Sequence, residues 1–237
     1  MCIRDSRARP ALLVITGAFL ASLAVVAKLA DSVTERGQVV RVDQVVVDFA
    51  LHHRVGWISQ TARVVTLMGS VWLTTAIVLV AAMALVLSGR RLDALFVVLS
   101  SGGTALLVFV TKAMIGRQRP AAPHRLVAAA GAAFPSGHAA QSVACYGALA
   151  IIAVAGSRST GRRVVVASAA AVIAIAVGAS RVYLGVHWPS DVLSGWLLAV
   201  GWLLALVGAR TLAKASVRPN PGTPDRGPAP RHPGRRA

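Results

Sequence analysis

Residues 180–191 read Ser-Arg-Val-Tyr-Leu-Gly-Val-His-Trp-Pro-Ser-Asp and lie between two apolar runs. They place an arginine, a histidine and an aspartate at a membrane boundary, where ionisable groups are costly and mark candidate functional sites. Arg181 can fork onto phosphate oxygens. His187 can attack an electrophile or shuttle a proton. Asp191, four residues on, shares a helical face with His187 if the chain turns helical at Pro189, a residue favoured at the first helical position.

Two other segments carry matching parts. Residues 112–120 read Lys-Ala-Met-Ile-Gly-Arg-Gln-Arg-Pro, with Lys112 and Arg119 seven apart; such cations either collar the end of a span by snorkelling or gather an anion. Pro135-Ser136-Gly137-His138 opens an apolar run. Serine and glycine there serve as ordinary helix-start residues, and the same start offers N–H groups and a positive dipole end to an anion, with His138 in the first turn. The set therefore holds three cations, a helix N-terminus, two histidines and a carboxylate. Phosphoryl transfer needs charge neutralisation, a positioned nucleophile and a protonated leaving group, and each can be supplied from these residues. No Cys/His/Asp cluster has metal-ligand spacing, so neither metal nor cofactor is expected. The adjacent His52 and His53 cannot share a helix face and read as solvated or interfacial.

These residues need elements to carry them, and composition says which. Hydrophobic residues make up 56% of the 237, charged residues 14%, and mean hydropathy is +0.67, far too apolar for a soluble domain of this length. The net charge of +17 suggests nucleic acid at first sight, but aromatics are sparse and the basic residues fall in short runs between apolar spans, which fits membrane topology instead. The expected fold is all-α and polytopic, with six transmembrane helices at about residues 11–30, 71–88, 94–110, 138–155, 164–179 and 192–209. Residues 1–10 are polar and too short to hold structure, and the first span is read as retained rather than as a signal peptide. Within 31–68, Val42, Val45, Val46, Phe49, Ala50 and Val55 recur near helical spacing opposite Asp43, Asp48 and Arg54, which predicts an amphipathic helix lying along the interface. Lys112 falls in the loop after the third span. From Thr211 a basic stretch rich in proline and glycine, with no apolar periodicity, is expected to be disordered. Cys2 and Cys145 read as inert.

Six spans put both termini on one side, where fifteen of the 25 lysines and arginines fall, against nine opposite, with Lys28 inside the first span. The positive-inside rule makes the termini cytoplasmic. All three chemistry-bearing segments then share the extracytoplasmic face.

The ordered triplet of Lys112-x6-Arg119-Pro120, Pro135-Ser136-Gly137-His138 and Ser180-Arg181-x5-His187-x3-Asp191 resembles the three-part signature of the type 2 phosphatidic acid phosphatase family, which shares its site with vanadium-dependent haloperoxidases. Every fixed position is filled, over about residues 60–210. The resemblance implies that His187 attacks phosphorus to form a phosphohistidine while Asp191 holds its other ring nitrogen. It implies that His138 protonates the leaving oxygen and then activates water. Lys112, Arg119 and Arg181 would bind the phosphoryl oxygens, with Ser136 and the Gly137 amide completing the cradle. The activity so implied is that of an integral-membrane lipid phosphatase, of bacterial cytoplasmic-membrane type, acting on phosphatidic acid, phosphatidylglycerol phosphate or undecaprenyl diphosphate. Two alternatives remain: a phosphotransferase using a sugar or lipid acceptor in the same pocket, and a non-catalytic anionic-lipid binder or transporter. The six spans disfavour a haloperoxidase. The expected partners are the lipid phosphate and the bilayer; oligomeric state is not legible.

Overall fold

The computed structural model describes residues 5–35 and 37–216. Among the described residues eight α-helices follow one another: α1 (Asp5–Thr34), α2 (Gln38–His52), α3 (Gly56–Leu67), α4 (Val71–Leu87), α5 (Arg91–Ile115), α6 (Gly137–Ala155), α7 (Thr160–Tyr183) and α8 (Pro189–Ser216), with a short 3-10 turn at Ala122–His124 between α5 and α6. Five of them (α1, α5, α6, α7 and α8) are long and apolar enough to cross a membrane, and α3 with α4, bent by 43° at the break between them, has the length and composition for a sixth crossing when taken as one pair. The chain is an all-helical polytopic membrane protein. The expected disordered tail from Thr211 lies outside the described residues except for its start, which continues α8 to Ser216.

Burial within the bundle identifies its centre. Half of the most apolar window of α6 is buried (50%), against 11% for α1. In lipid there is no hydrophobic gain from hiding one apolar helix behind another, so close packing and interhelical hydrogen bonds hold such bundles together. Ser101 Oγ on α5 donates to Gln141 Oε1 on α6 at 2.8 Å while Gln141 Nε2 returns a bond to the Ser101 carbonyl at 3.1 Å, and Ser100 Oγ donates to the Ala144 carbonyl at 2.8 Å. Trp202 of α8 packs on the bare backbone at Gly103 of α5 and donates its indole N–H to the Leu99 carbonyl at 2.8 Å. At the far end from the site, Arg210 of α8 pairs with Asp93 of α5, which also holds Arg90 at 2.7 Å.

Several boundaries differ from those expected, for one physical reason. Helices continue past the hydrocarbon wherever backbone hydrogen bonds can still be made within the helix, so an apolar run marks less than the whole element. Lys112, expected in a loop, sits in the last turn of α5, which ends at Gly116 in the left-handed region with its N–H bonded to the Lys112 carbonyl at 3.1 Å. Arg181 likewise sits in the last turn of α7. Helix α1 begins at Asp5, inside a stretch expected to hold no structure. The predicted amphipathic segment is two helices, α2 and α3, and the Asp43 side of α2 packs on protein instead of facing water. Asp43 is buried at 1% exposure while Val42, Val45, Val46 and Phe49 are exposed. Apolar side chains on the outside of a membrane-edge helix face lipid rather than water, which leaves the carboxylate side to face protein.

Candidate active site

The C-terminal ends of α5 and α7 and the N-terminal ends of α6 and α8 meet at one end of the bundle, closed over by the loop between α5 and α6. Each end is shaped by its own sequence. Val186 N–H bonds back to the Arg181 carbonyl at 3.2 Å and Gly185 N–H to the Val182 carbonyl at 2.9 Å, the paired bonds of a Schellman turn. Gly185 takes φ +70°, and a Cβ there would lie 2.5 Å from the His124 carbonyl, so glycine is required on two counts. Two residues later comes His187. Helix α8 then opens at Pro189, the start considered from the sequence, with His187 two residues before it. Asp191 is its third residue, and its Oδ2 accepts the Trp188 N–H at 2.9 Å, the reach-back of a capping box.

Around His187 the sequence-derived residues come together. His187 Nδ1 faces Asp191 Oδ2 at 3.4 Å, with both side chains essentially buried. Arg119 Nη1 lies 3.0 Å from His187 Nε2. A guanidinium only donates, so Nε2 is the accepting, unprotonated nitrogen and the ring proton resides on Nδ1, toward Asp191. Burial is the main cause that brings the His187 imidazole down to about 4, with Arg119 and Arg181 acting the same way and Asp191 opposing them. His187 is therefore neutral at ordinary pH.

The remaining expected residues surround this pair. Arg119 also donates to the carbonyls of Val186 (2.8 Å), Ala130 (3.0 Å) and Gly131 (3.0 Å), which ties the α5–α6 loop to the His187 turn. Lys112 Nζ bonds the Ala132 carbonyl and lies 3.4 Å from that of Ala133. His138, half-buried in the first turn of α6, is within electrostatic reach of Lys112, Arg119, Arg181 and His187. Arg181 Nη1 donates to Thr66 Oγ1 of α3 at 2.8 Å. Ser136 gives its backbone N–H to the Asp191 carbonyl at 2.8 Å, and Gly137 begins α6 beside it. Ser136 Oγ and Arg181 Nε are buried and have no hydrogen-bond partner among the described residues. Buried polar atoms left unsatisfied are rare in folded proteins, and one common reason for them is a ligand.

Sequence reasoning missed three residues, Arg117, Asp43 and Ser190. Arg117 Nη1 donates to Asp191 Oδ1 and to Ser190 Oγ, both at 2.7 Å, and its Nη2 donates to Asp43 Oδ2 at 2.7 Å. Asp43 also accepts the Ser190 N–H at 2.9 Å and the Ser190 hydroxyl at 2.5 Å. Arg117 lies inside the Lys112–Pro120 segment, where an extra arginine between two singled-out cations is the available signal. Asp43 offers none, because its partners are 74 and 147 residues away.

Apolar crossings that gather cations, two histidines and an oriented carboxylate at one end define a membrane-embedded hydrolase of phosphoric esters. The chain belongs to the PAP2 superfamily, whose model matches residues 92–214. It is 31% identical over 160 residues to phosphatidylglycerophosphatase B of Bacillus subtilis, covering 67% of this chain and 78% of that one. The crystal structure of the transmembrane PAP2-type phosphatidylglycerolphosphate phosphatase from Bacillus subtilis superposes with a TM-score of 0.75 at 26% identity, covering 84% of this chain and 97% of the other. Aquifex aeolicus LpxE shares the fold, at a TM-score of 0.52 and 20% identity over 70% of this chain and 92% of its own. The chain is thus a lipid phosphatase in the general sense.

Proposed function

We propose that this lipid phosphatase removes the terminal phosphate of a glycerophospholipid phosphomonoester, phosphatidylglycerol phosphate foremost, through a phosphohistidine on His187. The observation that carries the mechanism is the placement of the His187 ring, with Nε2 unprotonated beside Arg119 and Nδ1 facing the buried Asp191. The substrate class is supported by the Bacillus subtilis relative, which is named for that lipid.

In the first step a phosphoryl oxygen takes over the Arg119 N–H that Nε2 accepts in the free protein. Nε2 attacks phosphorus, the bond to the lipid oxygen breaks, and His138 delivers its proton to that oxygen. Arg119, Arg181 and Lys112 spread the charge of the transferring group, and the unpaired Ser136 Oγ and Arg181 Nε supply further hydrogen bonds. Asp191 stabilises the Nδ1–H of the phosphorylated ring. In the second step His138 accepts a proton from water, the resulting hydroxide oxygen bonds to phosphorus, the N–P bond breaks, and inorganic phosphate leaves with His187 neutral again. Three side-chain cations perform the charge neutralisation that a metal performs elsewhere. Detergent-solubilised protein is therefore expected to release phosphate from phosphatidylglycerol phosphate in the presence of EDTA and to be inhibited by vanadate. His187→Ala should abolish release, and undiminished release by that variant would overturn the mechanism.

The site is assigned to the extracytoplasmic face by the basic-residue asymmetry, with the termini cytoplasmic. Phosphatidic acid and undecaprenyl diphosphate present the same terminal group, and a panel of the three lipids on purified protein ranks them by kcat/KM.

A further inference from the structure

We infer that Asp43 and Arg117 form a clamp that positions Asp191, and through it His187, making α2 part of the catalytic scaffold. The inference rests on His187 being the attacking group. Its geometry is a continuous buried chain. Asp43 reaches from α2 to Arg117, Arg117 bridges to Asp191 Oδ1, and Asp191 Oδ2 faces His187 Nδ1. The Asp43 and Asp191 side chains are 2% and 0% exposed and that of Arg117 is 9% exposed, so water offers little alternative solvation. Trp188 packs over the guanidinium, its ring centroid 5.4 Å from the arginine's central carbon, and anchors its own indole N–H on the Gln118 carbonyl at 3.0 Å.

Each member does something the others cannot. A carboxylate has free rotation about its last bond and several acceptor sites. Asp191 is held on one oxygen by Arg117 and on the other by the Trp188 N–H, so its orientation toward His187 is fixed. Arg117 in turn could swing toward Asp191 with both nitrogens. Asp43 prevents that by holding Nη2, while its other oxygen satisfies the Ser190 N–H in the first turn of α8. The clamp also tunes charge. Arg117 divides its positive charge between two carboxylates, which leaves Asp191 anionic enough to fix the ring proton yet restrains it from drawing a second proton onto His187. The other charged or titratable groups facing His187 are Arg119 of the loop, Arg181 of α7 and His138 of α6, while Lys112 at the end of α5 faces Asp191 and His138.

A purely structural cap on α8 would alter protein yield and thermal stability alone. A positioning clamp alters chemistry in a directional way. Removing the cation with Arg117→Gln leaves Asp191 free to stabilise an imidazolium, so the acid limb of kcat/KM moves up by about one pH unit. It also lowers kcat about 10- to 100-fold with KM changed less than about threefold. Asp43→Asn lowers kcat about tenfold with no upward shift of the acid limb, because the arginine stays on Asp191. Because the residues act as a unit, D43N/R117Q is no slower than R117Q alone. Arg117→Lys keeps the charge but cannot span both carboxylates, so the acid limb stays in place while kcat remains depressed. If R117Q does not accumulate as folded protein, R117K and Ser190→Ala read the same geometry, S190A removing the hydroxyl shared by Asp43 and Arg117.

Phosphate release from detergent-solubilised phosphatidylglycerol phosphate, followed across pH for the full chain, makes these measurements, with H187A as the reference. Unchanged kcat and acid limb in R117Q and D43N, full activity in R117K, or additive losses in the double variant would each overturn the clamp. Turnover by H187A would instead overturn the phosphohistidine reading beneath it.

Discussion

The nucleophilic character of His187 depends on its being neutral and correctly protonated, and both conditions come from its neighbours. Arg119 donates to one ring nitrogen and the buried Asp191 faces the other, which selects one tautomer. A histidine in water titrates near 6.5, whereas burial holds His187 near 4. Its neutral form is the form above that value, so the acid limb of kcat/KM governed by His187 is expected at about pH 4 and not near 6.5. In that window the unfolded chain binds a proton at this site that the folded chain refuses, so folding stability falls as pH drops from about 6.5 toward 4. An acid limb at 6.5 in the wild type would show that the imidazole is solvated. His138 has a separable signature. In His138→Ala, transfer from a lipid phosphate should fall about 100-fold or more, while an aryl phosphate with an acidic leaving group, which needs no proton, should lose far less. Equal losses on the two substrates would remove His138 from the general-acid role. At this scale much is legible in the amino-acid sequence itself. Lys112, Arg119, Ser136, His138, Arg181, His187 and Asp191 stand at one end of the bundle, each in a segment singled out by residue type and spacing. Asp43 and Arg117 escape because their meaning is tertiary. The place of Asp43 on the polar side of an interfacial helix does not reveal that this side packs on protein, with Asp43 1% exposed.

At the scale of elements, apolar run length locates the crossings and fails at their ends. Charged residues such as Lys112 and Arg181 look like loop residues, yet each occupies the last turn of a long helix and gains a fixed backbone from it. That matters for function, because a site built on helix ends is held more tightly than one on free loops. The bend between α3 and α4 belongs to the same design. Gly69 lies there against α6, and a Cβ at this position would sit 2.8 Å from the His138 carbonyl. Gly69→Ala is therefore expected to push the first turn of α6 away from His187. The overpacking costs about 1–3 kcal/mol, with kcat reduced and the protein still membrane-inserted. The check is a thermal-unfolding midpoint together with steady-state kinetics, and wild-type values for both would show that the contact yields freely.

At the scale of the whole molecule, the charge asymmetry and the helix ends bear on the same question of orientation. The end of the bundle that carries the site also carries the α5–α6 loop, and the proposed orientation, drawn from the sparser basic charge there, has that end outside the cytoplasm. In a background lacking Cys2 and Cys145, Ala128→Cys in the α5–α6 loop is expected to react with a membrane-impermeant maleimide on intact cells, and Ser88→Cys between α4 and α5 is not. The reverse pattern would turn the protein over. The fold class follows from composition and span count alone, since an apolar chain that must satisfy every backbone group in lipid has few architectures open to it. How the crossings pack does not follow, because small residues such as Gly103 gain their meaning only from the tryptophan set against them.

Passage of the phosphoryl group through His187 is tested most directly by an alkaline quench of the protein during turnover of phosphate-labelled lipid. A histidine-bound phosphoryl group survives alkali and is lost in acid. The label is expected on the peptide containing His187 in the wild type and to be absent in H187A, which should also release no phosphate. Label on any other residue, or phosphate release by H187A at the wild-type rate, would contradict a phosphohistidine at this position.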